Sequence, residues 1–424
     1  MTKTHKILSI VLAVLIAGAM FTAGYFTNEW IKSDFDETKW LIETIDKNAL
    51  IFDEETGEVR KITDEEYAKA LISGLKSAGI LDTYANYYNA EEYTDVISTS
   101  KGNSYGIGAS FYKRSNVIGR VAFNSPLYKA LGGVDVAGKA ITAFRSKSGE
   151  VCPVSDYSEM QERLASYANG VEFYVTIDGN DYLVAKESYV ESYVRYVDDT
   201  VSIEFSSDYG DRPIDTRLVG NPNLPSDTAY LQFTAFNGDA SDEFVAVMNY
   251  FKNSGKTKLI LDIRNNGGGY MTKLTEIASL FIDNGGKRSN VVAISKNNEG
   301  KSSQIKTSTN KYIPIEKLVV IANESTASAS ECLIGALIHY GALSMDNLVI
   351  TNANYNGVGV NATYGKGIMQ TTYTSGWGTA TKLTSARIYW PDGETCIHGV
   401  GVKAKAQNST TYADGLTRAL ALIG

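Results

Sequence analysis

KLVVIANESTASASECLIGAL, residues 317–337, divides into three parts that decide how this chain folds. KLVVIAN (317–323) is an almost unbroken apolar run rich in β-branched residues, the pattern of a strand covered on both faces. The Ser/Thr/Ala-rich turn that follows ends near Ser328, and ECLIGAL continues as an apolar helix. A strand feeding a helix through so short a turn is the repeating unit of layered α/β proteins. The turn places a serine at a helix N-terminus, where unpaired N–H groups and the macrodipole favour developing negative charge. Ordinary N-capping explains one such serine equally well, but STASAS supplies more than a cap needs.

The same alternation extends on both sides. TAYLQFTAF (228–236) reads as a strand, SDEFVAVMNYFKNSG (241–255) as a helix, KLILDIR (258–264) as a second buried strand, and 272–282 as a helix. The region from 193 to 424 is therefore expected to form one α/β layered core. Directly after KLILDIR comes NNGGGY (265–270). Three consecutive glycines make a tight turn, and they can also present backbone N–H groups toward a substrate carbonyl. Asp262 and Arg264 read as a structural ion pair.

A serine nucleophile needs a base, and the chain has only three histidines, His5, His339 and His398. His339 is eleven residues beyond Ser328 on the same predicted helix, about 16 Å along its axis. That is out of reach. His398, in TCIHGVGV, stays open by position. Lys366, in ATYGKGIMQ (362–370), is the better candidate: its flanking glycines permit close backbone approach, and burial beside a serine would lower its pKa. The spacing around this GKG excludes a P-loop.

Upstream, SYGIGASFY (104–112), SNVIGRVAF (115–123), KAITAFRS (139–146), VEFYVTIDG (171–179) and DYLVAKESY (181–189) read as short strands. SDYSEMQERLASYANG (155–170) reads as one amphipathic helix ending at Gly170, so 99–192 is a small barrel-like β module. Residues 29–98 read as helical, with Thr63 and Glu66 in capping-box spacing. Ile7–Phe26 is an uncharged apolar run preceded by Lys3 and Lys6, long enough to span a bilayer. We expect a signal anchor over 1–28 with the body outside the cytoplasm. A cleaved signal peptide at Ala17-Gly18-Ala19 is the competing reading.

The net charge of -8 and pI near 5.2 oppose phosphate backbones, so nucleic acid is excluded as a partner class. Three scattered cysteines, Cys152, Cys332 and Cys396, have neither zinc-site nor disulfide-framework spacing. No cluster of residues requires a metal or organic cofactor.

Taken together, LDIRNNGGG, TASASE and YGKGxxQ resemble the C-terminal processing peptidases, or tail-specific proteases, in type and order. TKLTSARIYWPDGETCIHGVGV (381–402) resembles that family's core-closing strands, LDTYANYYNAEEY (81–93) its opening segment, and the YGIG module its PDZ domain. The resemblance covers roughly 60 to 405. It implies a crotonase/ClpP-like layered α/β peptidase core with an inserted PDZ-like module. It also implies Ser328 as nucleophile, Lys366 as general base and Gln370 as the group orienting that base. The oxyanion donors would be the amides of Ala329 and Gly268. Tyr105, Gly106, Ile107 and Gly108 would hold a substrate C-terminus added as a strand, and the module would move to complete the site.

The partners implied are protein or peptide substrates and the membrane; self-association stays open. The Ser328-to-Lys366 interval of 38 residues exceeds the family's, and the surplus is expected in SMDNLVITNANYNGVGVNA (344–362) as a surface hairpin or lid. The alternative function is a binding scaffold on a catalytically impaired peptidase fold.

Overall fold

The computed structural model describes residues 35–53, 56–111, 115–134, 136–196, 223–283, 285, 289–307 and 311–424, with the backbone of the 204–207/210–213 hairpin. The expected anchor, Ile7–Phe26, lies outside the described residues. Among the described residues no helix is long and apolar enough to cross a membrane.

Contacts divide the chain after Leu81. The first unit holds helices Asp36–Asn48 and Asp64–Ser77 with a two-stranded ladder, Ile51–Phe52 against Val59–Arg60. Thr63 caps the second helix: its hydroxyl accepts the Glu66 amide while the Glu66 carboxylate accepts the Thr63 amide. Here the sequence pattern translates directly into satisfied end groups.

The second unit is built on a six-stranded sheet. Val194–Tyr196 lies antiparallel at one edge, and Thr228–Phe233, Lys258–Asp262, Lys317–Asn323, Leu348–Asn352 and Ser409–Thr411 follow in parallel. Period-2 geometry sends alternate side chains to opposite faces. Leu259, Leu261, Leu318 and Val320 pack with helices Ala240–Asn253, Met271–Phe281 and Ala329–His339. Tyr230, Ile260, Val319, Ile321 and Val349 face the other way, against the C-terminal helix Gly415–Ile423. Coverage on both faces is why these strands read as continuous apolar runs.

A second, antiparallel sheet runs Ser302–Lys306, Val291–Asn297, Ala380–Tyr389 and Ile368–Thr374. Asn86–Tyr88 joins it by pairing with Ala380–Lys382, so a stretch expected to be helical contributes a strand; the helix resumes at Ala90–Ser100.

Between them, residues 103–190 form a module with its own apolar core around Ile118, Leu127, Ile141, Phe144, Phe173 and Val175. Its main sheet orders Asn180–Val184, Phe173–Ile177, Ile141–Ser146 and Cys152–Pro153, and helix Tyr157–Ser166 covers it. DYLVAKESY, expected as one strand, breaks into Asn180–Val184 and Glu187–Val190, which pair with different partners. A short helix, Pro126–Leu131, was not evident in the pattern; Ser125 caps it by accepting the Tyr128 amide.

The segment 344–362 corrects another expectation. Leu348–Asn352 is no surface hairpin but the fifth strand of the central sheet, with Leu348, Val349 and Ile350 fully buried. Five residues of LVITN satisfy a buried strand, and the Asn-rich flanks obscured them. The extra length is confined to 353–360, largely exposed, after which Asn361 ties the chain back by donating to the Ile350 and Thr410 carbonyls.

Candidate active site

Strands Lys258–Asp262 and Lys317–Asn323 are parallel neighbours, so the turns after their C-terminal ends emerge side by side, where open α/β sheets place their ligand crevices. Five hydrogen bonds interlock the two turns. Asn265 N–H donates to Asn323 Oδ1 at 2.9 Å and Asn323 Nδ2 returns a bond to Asn265 Oδ1 at 2.7 Å. Thr326 Oγ1 donates to the Ile263 carbonyl, and the Asn266 carbonyl accepts both Ala327 N–H and Ser330 Oγ. Ser330 is fully buried and committed to that bond, whereas Ser328 is only half-buried.

Ser328 is the N-cap of helix Ala329–His339 and has φ 60 and ψ -116. A non-glycine residue in the positive-φ region persists only where its surroundings hold it. A sharp strand-to-helix turn of this kind is the nucleophile-elbow geometry, which lifts a serine hydroxyl clear of the sheet. The buried amide of Ala329 has no acceptor among the described residues, leaving it available to an oxyanion.

The glycine turn lies against this serine. A Cβ on Gly268 would sit 2.8 Å from Ser328 Cβ and 2.9 Å from Ala329 N, and Gly268 itself has φ 96. Only glycine allows that approach. The Gly268 N–H, however, donates to Asn266 Oδ1 at 3.0 Å, so the second amide expected for an oxyanion hole is engaged. Behind the turn, Asp262 and Arg264 form the expected ion pair at 2.6 Å, fully buried on the aspartate side, with Tyr230 donating to Asp262. The paired aspartate holds the Arg264 pKa above its usual value against the opposing effect of burial.

Glu331, fully buried in the first turn of the serine helix, is the residue that sequence reasoning missed. Its Oε2 accepts the N–H of Ser328 at 2.8 Å and of Lys366 at 2.9 Å; its Oε1 accepts the N–H of Gly365 at 2.7 Å and the Thr363 hydroxyl at 2.5 Å. One carboxylate thus fastens the serine turn to the lysine segment through four hydrogen bonds. The S-x-x-E spacing of Ser328 and Glu331 was the available signal. The glycines around Lys366 are required by packing: a Cβ on Gly365 would meet Gly401 N at 2.8 Å, and one on Gly367 would meet His398 N at 2.7 Å.

Lys366 is half-buried, and its ammonium has no hydrogen-bond acceptor or ion-pair partner among the described residues. Nζ lies 4.5 Å from the centre of the Tyr84 ring. Burial, and secondarily the positive charge of Lys382, lower its pKa, while Asp82 and Glu331 oppose the shift. Gln370 is not turned to Lys366: its Nε2 donates across the hairpin to Thr384 Oγ1 at 3.1 Å. His339 ends its helix exposed, beside Tyr340, and His398 is exposed.

In the β module, Tyr105 is 53% exposed and donates its hydroxyl to the Lys186 carbonyl, and Ile107 is buried. The Ile107 and Gly108 carbonyls accept the Leu127 and Ala122 amides. Gly108 has φ 87, and a Cβ there would collide with Ser125 at 2.0 Å.

Residues 227–407 match the family described as Peptidase family S41. A probable CtpA-like serine protease of Staphylococcus epidermidis is 26% identical over 384 residues, 90% of this chain and 67% of that protein. One from Staphylococcus aureus is 31% identical over 168 residues, 40% of this chain and 30% of its own length. The photosystem II D1 C-terminal processing protease superposes with a TM-score of 0.51 at 19% identity, covering 86% of this chain and 88% of its own. At that identity the likeness speaks for the fold.

Proposed function

We propose that this chain is a serine-type endopeptidase of the C-terminal processing kind, within the S41 family that its residues 227–407 match, and we propose how it cuts and where it works. Ser328 is the nucleophile and Lys366, as the neutral amine, its general base. The serine proton passes to Lys366 Nζ as Oγ attacks the scissile carbonyl, and the resulting oxyanion is met by the Ala329 amide. The Gly268 amide joins it once Asn266 Oδ1 gives way. Lys366 then returns the proton to the leaving amine, and water repeats the sequence on the acyl-enzyme.

The observation that carries this reading is the Glu331 carboxylate, shared between the amides of Ser328 and Lys366. It favours a working pair because a buried carboxylate fixes both backbone segments at once. Closure of the site, with Lys366 meeting Ser328 while it stays against the Tyr84 ring and with Gln370 turning from Thr384, belongs to the proposal.

The β module is proposed to read substrate C-termini in the PDZ manner. In a trans peptide the N–H points opposite to the preceding carbonyl. With the Ile107 and Gly108 carbonyls directed to Leu127 and Ala122, the Gly108 and Ala109 amides face away, toward a carboxylate. We place the protein outside the cytoplasm, held by Ile7–Phe26, on the strength of that apolar run and its basic flank. The test compares one unstructured peptide with a free and with an amidated C-terminus. Faster cleavage of the free acid supports the module's role; equal rates remove it.

A further inference from the structure

A lysine base becomes an ammonium each time it takes the serine proton, and something must stabilise that charge in a site from which water is partly excluded. Here the groups facing Lys366 are Asp82 and Tyr84 from the segment before strand Asn86–Tyr88, Glu331 from the serine helix, Tyr364 from its own loop, and Lys382 from the neighbouring strand. The backbone of His398 abuts the adjacent Gly367. Neither Asp82 nor Glu331 makes an ion pair with Nζ; the Glu331 oxygens are taken by amides and a hydroxyl. What lies against the ammonium is the ring of Tyr84, centred 4.5 Å away.

Resting on the reading of Lys366 as general base, we propose that Tyr84 is a positioning residue for Lys366, its ring face holding and stabilising the ammonium formed when Ser328 gives up its proton. A cation within about 6 Å of an aromatic centroid is attracted by the ring's quadrupole, more so when partly desolvated. The ring is itself held: the Tyr84 hydroxyl lies 3.4 Å from that of Tyr364, whose amide donates to the Thr326 carbonyl in the serine turn. Burial and the Tyr364 hydroxyl push the Tyr84 phenol up to about 12, so the ring presents a neutral π-face across the working range. The proton balance is closed: Ser328 Oγ–H to Lys366 Nζ, then Nζ to the leaving amine, with Tyr84 neither gaining nor losing one.

The experiment is the pH dependence of kcat/KM for the parent, Tyr84→Phe, Tyr84→Leu and Lys366→Ala, each checked for folding by circular dichroism. The acid limb reports ionisation of the free enzyme's base. Losing the ring makes the ammonium less stable, so in Tyr84→Leu the limb moves down by about half a pH unit or more, and the plateau falls. Tyr84→Phe keeps the ring and holds the parental limb. A Tyr84→Leu limb that stays put, with Lys366→Ala inactive, overturns the role of Tyr84 alone. A limb displaced equally in Phe and Leu also overturns it, assigning the effect to the hydroxyl. An active Lys366→Ala instead removes the reading of Lys366 as base. Should Tyr84→Leu not fold, the Lys366 Cε-proton resonances of the parent decide: an upfield ring-current shift supports the seat, and its absence contradicts it.

Discussion

The Oε2 atom of Glu331 accepts the amide N–H of Lys366 at 2.9 Å, although the two residues are 35 apart in sequence. The same atom accepts the amide of Ser328. This carboxylate, itself fully buried, therefore sets the relation between two backbone segments that the proposed chemistry brings together.

Glu331→Gln tests that arrangement. An amide of the same shape offers one acceptor oxygen and forces two donors toward N–H groups that are themselves donors. We expect a stability loss on the order of 3 kcal/mol from unsatisfied buried groups. The fall in kcat should exceed what the folded fraction explains. Denaturant unfolding alongside single-turnover kinetics separates the two effects; a stable, fully active Gln variant would contradict the role.

Gly268→Ala probes the contact between the glycine turn and the serine. The new methyl would lie 2.8 Å from Ser328 Cβ at φ 96. A stability cost of about 1–3 kcal/mol is expected for holding alanine there, together with severe loss of cleavage, because relief of the clash displaces the serine or the Ala329 amide. Parental activity in a folded Gly268→Ala protein would show that the turn is remote from the reacting atoms.

Lys366 has its pKa lowered first by burial and then by Lys382. In the proposed mechanism the neutral amine is the base, so kcat/KM is expected to rise with pH through the lowered value and level above it. Lys382→Met removes a like charge, lets the Lys366 pKa rise, and shifts the acid limb to higher pH. The linked stability has a definite sign. Between the lowered folded value and the unfolded value of 10.5, the unfolded chain binds more protons, so the contribution of Lys366 to stability increases as pH rises through that window. Lys366→Met should flatten this slope in urea titrations across pH.

Residues 354–359 are exposed or half-buried, and their hydrogen bonds run among themselves, as from Tyr355 Oη to the Gly359 carbonyl and Val358 N–H to Asn356 Oδ1, or back to Asn352 at the strand end. Replacing them by a short turn should change stability by no more than about 0.5 kcal/mol and leave cleavage intact. Val349→Asp, in contrast, buries an unpaired charge in the central sheet and should cost about 3–5 kcal/mol. Thermal melts of both variants check the distinction; loss of activity on shortening would restore a lid role to the segment.

The strands Lys258–Asp262 and Lys317–Asn323 and the helix Met271–Phe281 between them were readable because burial on both faces leaves unbroken apolar runs, and caps such as Thr63–Glu66 because they are written within one turn. Ser328, Lys366 and the glycine turn were readable as residue types suited to acyl transfer. The connections among them were not. Glu331 reaching the Lys366 amide and the Tyr84 ring meeting Nζ are contacts across 35 and 282 residues, and no local period encodes such pairings. Leu348–Asn352 was misread for the opposite reason: a five-residue strand flanked by Asn and Gly carries too little local signal against its loop-like surroundings. The engagement of the Gly268 amide by Asn266 depends on a side-chain rotamer, which sequence does not specify.

The most direct measurement is cleavage of an unstructured protein such as casein by residues 29–424 of the parent, Ser328→Ala and Lys366→Ala, all three verified as folded. The account predicts that the parent cuts and that both variants lose activity by several orders of magnitude. Retained cleavage in folded Lys366→Ala, with Ser328→Ala inactive, would contradict it and place the base elsewhere.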